Sequence, residues 1–137
     1  MGDILVDEIR VPITSDQDIV AARQQGRALA AKLEFSASDC TLIATAISEL
    51  ARNIVSYARH GEIRIWAAQN SDRPGIVIVA SDQGPGIRDI RQAMRDGFST
   101  SGSLGLGLPG VRRLMDDFGI VSEEGKGTTV TVKKWKP

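Results

Sequence analysis

The run Gly75-Ile76-Val77-Ile78-Val79-Ala80-Ser81 is apolar on both faces of a strand, and this limits what the chain can fold into. Successive side chains of a strand point to opposite sides, so alternation marks a half-exposed strand, and an unbroken β-branched run marks a central, covered one. Such a strand needs a partner along each edge. Residues 62–68 form a second β-type run, joined to the first by the turn-rich Gln69-Asn70-Ser71-Asp72-Arg73-Pro74, as in a hairpin. Residues 120–122 and 128–134 read as a closing hairpin around Glu123-Glu124-Gly125-Lys126-Gly127, its second strand carrying Val130, Val132 and Trp135. Residues 4–13 alternate loosely, with Leu5, Val6, Ile9 and Val11 apolar, and read as a first strand ended by Pro12 and Thr14-Ser15-Asp16.

The cover is expected from helices. Ser15 reads as an N-cap, with Asp18 three residues on and apolar positions at Ile19, Val20, Ala22, Leu29 and Leu33. A second helix is expected from Ser38 or Asp39 to about Arg59, with Gly61 as its stop and Arg59 and His60 near the negative end of its dipole. Spacing at 3.6 residues per turn puts Ile43, Ile47, Leu50 and Ile54 in one stripe and Ser48, Arg52 and Val55 largely opposite. Glu49 and Asn53, four apart, share a line at the stripe's boundary. Residues 87–95 read as a short helix, 97–105 as a loop without a charge, and 108–118 as a helix with Pro109 in its first turn. The order β-α-α-β-β-α-loop-α-β-β favours an α/β (α+β) two-layer sandwich, a mixed, largely antiparallel sheet with helices on one face.

Bulk properties exclude several function classes. At 137 residues the chain reads as a single domain spanning 1–137, and only 4% of it is aromatic, leaving Ile, Val, Leu and Ala to fill the core. Lys plus Arg equals Asp plus Glu at 17 each, so no net field draws nucleic acid or an anionic membrane. No apolar stretch approaches the roughly 18 residues of a membrane span, and Met1-Gly2-Asp3-Ile4 lacks a basic region followed by an apolar one, so a cytoplasmic location is expected. Cys40 alone excludes an internal disulfide, and His60 alone excludes a metal site of several His or Cys ligands. A Ser-His-Asp triad would have to use His60, and no Gly-x-Ser-x-Gly elbow accompanies it.

Seven of the fourteen glycines fall between Gly84 and Gly110. Glycine loses more conformational entropy on ordering than other residues, and backbone N–H groups that approach a phosphate are one return for that cost. Gly105-Leu106-Gly107-Leu108-Pro109-Gly110 satisfies G-x-G-x-x-G, yet no strand precedes it and no βαβ unit follows, so a dinucleotide fold is disfavoured. No G-x-x-x-x-G-K-[ST] occurs, nor the His-Arg-Asp and Asp-Phe-Gly elements of eukaryotic-type kinases. Asp82-Gln83-Gly84-Pro85-Gly86 is good turn chemistry, and it also leaves a carboxylate at the end of an apolar strand, where an exocyclic amine such as that of adenine would pair with it. Glu49 and Asn53 read either as solvated residues of a helix edge or as parts of a metal–nucleotide site. Mg²⁺ takes oxygen ligands and needs only one or two from protein, and Glu49, one turn earlier, is placed to accept a proton.

Together these residues resemble the four boxes of the GHKL (Bergerat-fold) ATPases: Glu49-Leu50-Ala51-Arg52-Asn53, Asp82-Gln83-Gly84-Pro85-Gly86, Gly105-Leu106-Gly107-Leu108 and Gly125-Lys126-Gly127-Thr128, in order over most of the chain. Within that superfamily, Asp96-Gly97-Phe98-Ser99-Thr100-Ser101-Gly102 and Leu108-Pro109-Gly110-Val111 are similar to the bacterial anti-sigma-factor serine/threonine kinases. The resemblance implies ATP and Mg²⁺ as cofactors, Glu49 as general base and Asn53 as the metal ligand. It implies that Asp82, with Gly84, Gly86 and Ile87 beside it, reads the adenine amine with support from Thr128. A segment carrying Ser99, Thr100, Ser101, Gly102, Gly105, Leu106, Gly107 and Leu108 is implied to fold over the phosphates. The implied reaction passes the γ-phosphoryl group to a serine or threonine of a STAS-domain regulator in stressosome-type partner switching, with a PP2C-type phosphatase as the partner activated on release. Many relatives carry a basic residue in the covering segment, whereas residues 97–107 have none, leaving Arg95, Arg112 and Lys126 as candidates to face the γ-phosphate. Two other readings are a nucleotide-gated binding module with little transfer and a detached histidine-kinase ATPase domain. The second is weakened because no phosphoacceptor helix accompanies His60.

Overall fold

All of residues 76–80 are buried, as a central strand requires, and the strand that holds them, β3 (Arg73–Asp82), is third in a sheet of five. The structure is a computed structural model that describes residues 8–86, 94 and 107–137. Its strands β1 (Ile9–Ile13), β2 (Gly61–Asn70), β3, β4 (Asp117–Glu123) and β5 (Gly127–Trp135) lie in the order β1-β2-β3-β5-β4, each described pairing antiparallel. The registers bring Asp82 opposite Gly61 on one side and Thr128 on the other.

One face of the sheet is covered by helices. From α1 (Asp16–Lys32) come Ile19, Ala22 and Leu29; from α2 (Ala37–Asn53) come Ile43, Ile47 and Leu50; from α3 (Gly107–Leu114) come Leu108 and Val111. They meet Ile63, Ile65, Ile76, Ile78, Val130 and Val132 in one cluster, so the expected stripe on α2 is the buried one. The opposite face explains the second apolar side of β3. There Ala68, Val77 and Val79 are buried against the indoles of Trp66 and Trp135. Each indole is oriented by a charged neighbour: the Arg64 guanidinium lies 5.8 Å from the Trp66 ring centre, and Trp135 Nε1 donates to Asp117 at 2.8 Å.

Element ends differ from the sequence reading in three places. Helix α2 starts at Ala37, before Ser38, because Ser36 is the cap and its Oγ accepts the Asp39 N–H at 3.1 Å. Its far end leaves α geometry after Asn53 and continues as a π-helical turn, Ile54–Ala58, closed by the Arg59 N–H donating to the Ile54 carbonyl at 2.8 Å. Arg59, at φ 73°, makes the reversal assigned to Gly61, which already belongs to β2. Helix α3 stops at Leu114, short of 118, because the Asp116 N–H donates to the Lys133 carbonyl and commits the chain to β4, with Phe118 opposite Val132. The strand expected over 4–13 is seen from Ile9, and the readings for 4–7, 87–93 and 95–106 lie outside the described residues.

Gly61 lets three elements meet at the site end of the sheet. A Cβ there would overlap the Ser81 carbonyl oxygen and stand 2.9 Å from Ile54 and 3.0 Å from Asp82. Gly61→Ala should therefore destabilise by about 1–3 kcal/mol, read as a lower urea midpoint at unchanged m-value. An unchanged midpoint would mean that β2 and β3 are not this close.

The start of α1 carries a pH signature. Asp18 Oδ2 accepts the Thr14 N–H at 2.8 Å, the Thr14 hydroxyl at 2.9 Å and the Ser15 N–H at 3.2 Å. These bonds, the Thr14 N–H foremost, hold its pKa below the ordinary 3.8. A lowered folded pKa stabilises the protein fully above the unfolded value, near pH 4, and that stabilisation is lost as pH falls through the folded value. Asp18→Ala should lower the melting temperature at neutral pH, and its gap from the parent should narrow below about pH 4. A gap that is constant with pH would contradict this cap.

Candidate functional site

Glu49 is the one buried charged side chain among the described residues, 6% exposed, where the spacing had put it at a boundary. A carboxylate taken out of water needs partners to offset the loss of hydration. Two elements supply them. Arg52, three residues on along α2, donates from Nη1 to Glu49 Oε1 at 2.7 Å, and the Gly107 N–H at the start of α3 donates to Oε2 at 3.2 Å. Both are charge-assisted bonds, and the second comes from the positive end of a helix. The helical spacing placed Arg52 largely opposite the apolar stripe, yet its long stem reaches back to position i−3 and leaves the side chain 39% exposed at the rim.

Asn53 is the last residue of α2, half-buried, and its side chain makes no capping hydrogen bond to the π-helical turn that follows. That turn leads to the second group of residues. Gly84 lies so close to Ala58 that an added Cβ would stand 2.6 Å from the Ala58 Cβ and 2.8 Å from its Cα. Asp82, half-buried at the end of β3, folds the chain back through an Asx turn in which its Oδ1 accepts the Gly84 N–H at 2.9 Å. The turn is tied to the β4–β5 hairpin, where the Pro85 carbonyl accepts the Gly125 N–H at 2.7 Å, with Gly86 next to it. Thr128, opposite Asp82, shares a 2.7 Å hydroxyl pair with Ser122.

The end of α2, the Asp82 turn, the hairpin and the start of α3 thus bring together Glu49, Asn53, Asp82, Gly84, Gly86, Gly107 and Thr128 through short chains of contact. Leu108 is buried in the main core cluster. Ile87, Ser99, Thr100, Ser101, Gly102, Gly105 and Leu106 lie outside the described residues, as does Arg95. Of the remaining basic candidates, Arg112 is exposed on α3, and Lys126 is exposed at the hairpin tip, paired with Glu123 at 3.4 Å. Sequence reasoning missed two participants, Arg52 as the partner of Glu49 and Ser122 as the partner of Thr128. Each had a signal: the i, i+3 spacing for Arg52, and for Ser122 the antiparallel register about the Glu123–Gly127 turn.

The chemistry open to this arrangement is proton transfer at a held carboxylate, one turn from an amide that makes no capping hydrogen bond, with a second carboxylate positioned to accept hydrogen bonds. Known proteins resemble the chain in sequence and in fold. Residues 13–134 match the family described as the histidine kinase-like ATPase domain. The serine/threonine-protein kinase RsbT of Bacillus subtilis (strain 168) is 54% identical over 129 residues, covering 94% of this chain and 97% of that protein. An anti-sigma F factor of Clostridium beijerinckii is 30% identical over 129 residues, covering 89% of each. A crystal structure of the RsbU and RsbW domains of a Mycobacterium tuberculosis protein superposes with a TM-score of 0.61 at 22% identity, covering 96% of this chain and 33% of that one, a likeness of fold. At the identity to RsbT, extending over nearly the whole of both proteins, the enzyme class is protein-serine/threonine kinase. Match, fold and motif order agree, and the chain belongs to the histidine kinase-like ATPase family.

Proposed function

We propose that the chain transfers the γ-phosphoryl group of ATP to a serine or threonine of a STAS-domain regulatory protein, in cytoplasmic partner switching of the stressosome type. The observation that carries this reading is the buried Glu49, held at both oxygens one turn before Asn53. In the transfer, the substrate hydroxyl oxygen bonds to the γ-phosphorus, the bond from that phosphorus to the β,γ-bridging oxygen breaks, ADP leaves, and the hydroxyl proton passes to Glu49. Phosphoryl transfer asks mainly for positioning and charge neutralisation, so few protein groups suffice.

The residues present suit a hard cation that takes oxygen ligands. Among the described residues no group of three or more His, Cys, Asp and Glu could hold a metal. An ion that takes most of its ligands from water and phosphate matches this, which supports Mg²⁺ on the Asn53 carbonyl oxygen. When bound, the ion offsets the charge of the phosphates. Asp82, whose Oδ1 already holds the Gly84 N–H, offers Oδ2 to the adenine amine, and Thr128, braced by Ser122, supports it. Among the described residues no helix is long and apolar enough to cross a membrane. The resemblance of the motifs further supports a PP2C-type phosphatase as the partner engaged after the phosphorylated regulator is released.

Incubation with γ-labelled ATP, Mg²⁺ and a STAS-domain protein tests the reading. Protein-bound label should resist hydroxylamine and yield phosphoserine or phosphothreonine. A stable complex without label would instead indicate a nucleotide-gated binding module. Glu49→Ala should keep ATP binding and slow transfer by about 10²–10⁴-fold, and normal transfer in that variant would remove Glu49 from the role of base. Asp82→Asn should weaken ATP binding by about tenfold or more, since it replaces a charged acceptor by a mixed donor and acceptor. Unaltered affinity would take adenine recognition away from Asp82.

A further inference from the structure

We infer that Arg52 is a positioning residue for Glu49, fixing one carboxylate oxygen from within α2 so that the other is presented to the substrate hydroxyl. The inference rests on the proposed role of Glu49 as the base. Its two anchors differ in kind. The bond from Gly107 comes from a separate helix and is the longer, at 3.2 Å to Oε2. The bond from Arg52 comes from the next turn of the same helix, at 2.7 Å to Oε1, and is local to α2. Each oxygen accepts one of these bonds and keeps a second lone pair; the shorter bond, from a full charge, fixes Oε1 and with it the carboxylate plane, so that the more weakly held Oε2 is the one turned to the substrate hydroxyl.

Two alternatives for Arg52 fit less well. As a surface ion pair contributing only stability it would be exposed at both ends, yet its partner is 7% exposed while its own side chain is 39% exposed. As a nucleotide ligand it would act independently of Glu49, and its loss would show in ATP affinity rather than in the rate of transfer, whereas its hydrogen bond to Glu49 ties it to the proposed base. Only one guanidinium nitrogen makes that bond, so the fork geometry that separates Arg from Lys is not used. A lysine should therefore serve in part, and a neutral residue should not.

Single-turnover transfer from ATP to a STAS-domain protein, with ATP affinity measured separately, tests this in the full chain. Arg52→Ala should slow transfer by about 10–100-fold, the scale of a displaced catalytic group, with the ATP dissociation constant within about twofold of the parent. Arg52→Lys should recover part of the rate. In a Glu49→Gln background, Arg52→Ala should change the residual rate by less than about twofold, because the group it positions is gone. Multiplicative losses in the double variant would overturn the inference, as would weaker ATP binding at an unchanged rate, or Lys no better than Ala. Full activity in Glu49→Gln alone would sink the assignment of the base itself, whereas a slow Glu49→Gln beside a fully active Arg52→Ala would sink only the role of Arg52. Equal melting temperatures of parent and variants show that the rates report on position rather than on unfolding.

Discussion

Holding a charged Glu49 beside an aliphatic core is the constraint on which the rest of this site depends. A carboxylate at 6% exposure has given up most of its hydration and needs hydrogen-bond donors to replace it. The chain meets the requirement twice, once locally from Arg52 and once from the Gly107 N–H. The second bond constrains the architecture. It fixes the start of α3 against α2, and α3 in turn places Leu108 and Val111 in the core. A polar requirement at the site and an apolar one in the core are thereby satisfied by the same short helix.

A second constraint acts at the end of β3, where Asp82 sits near both the end of α2 and the closing hairpin. Gly61 and Gly84 make this possible, since a side chain at either would meet Ile54 or Ala58. The hairpin contributes through Gly125 on the Pro85 carbonyl and through the Ser122–Thr128 hydroxyl pair. The Asp82 carboxylate is thus anchored by its own turn and framed by three neighbours. A rigid frame favours specific recognition, because little ordering is left to be done when a ligand binds.

Much of this was legible in the sequence where the signal is local. The β-branched run of β3, the hairpin partners on each side and the α2 stripe follow from period alone. The order of the four motifs, which carries the family, was also readable in the sequence. What escaped depends on contacts distant in sequence. Helix α3 ends at Leu114 because Asp116 pairs with Lys133, seventeen positions away, and a helical period carries no trace of that bond. The indoles of Trp66 and Trp135 covering Val77 and Val79 escaped for the same reason, since a helical second layer is the usual cover for a two-faced strand. Arg52 was misjudged differently: helical position locates a Cβ, and the guanidinium travels several ångströms from it.

The π-helical turn after Asn53 joins the two constraints. Were α2 to continue in α geometry, each further residue would advance by 100°; the i+5 closure from Arg59 to Ile54 widens the turn instead. Ile54 thereby stays 2% exposed in the core while Ala58 reaches the backbone of Gly84. The chain then reverses at Arg59 with φ 73° and ψ −36°, a conformation that costs a non-glycine residue about 1–3 kcal/mol. Such strain persists only where neighbouring contacts over-determine it, and here the neighbours are the core below and the Asp82 turn beside it. One helix with a modified end therefore holds Glu49 against α3 and, four to nine residues later, sets Asn53 and the Asp82 turn. The proposed base and the proposed adenine acceptor are thus linked through α2, its π turn and the contact of Ala58 with Gly84.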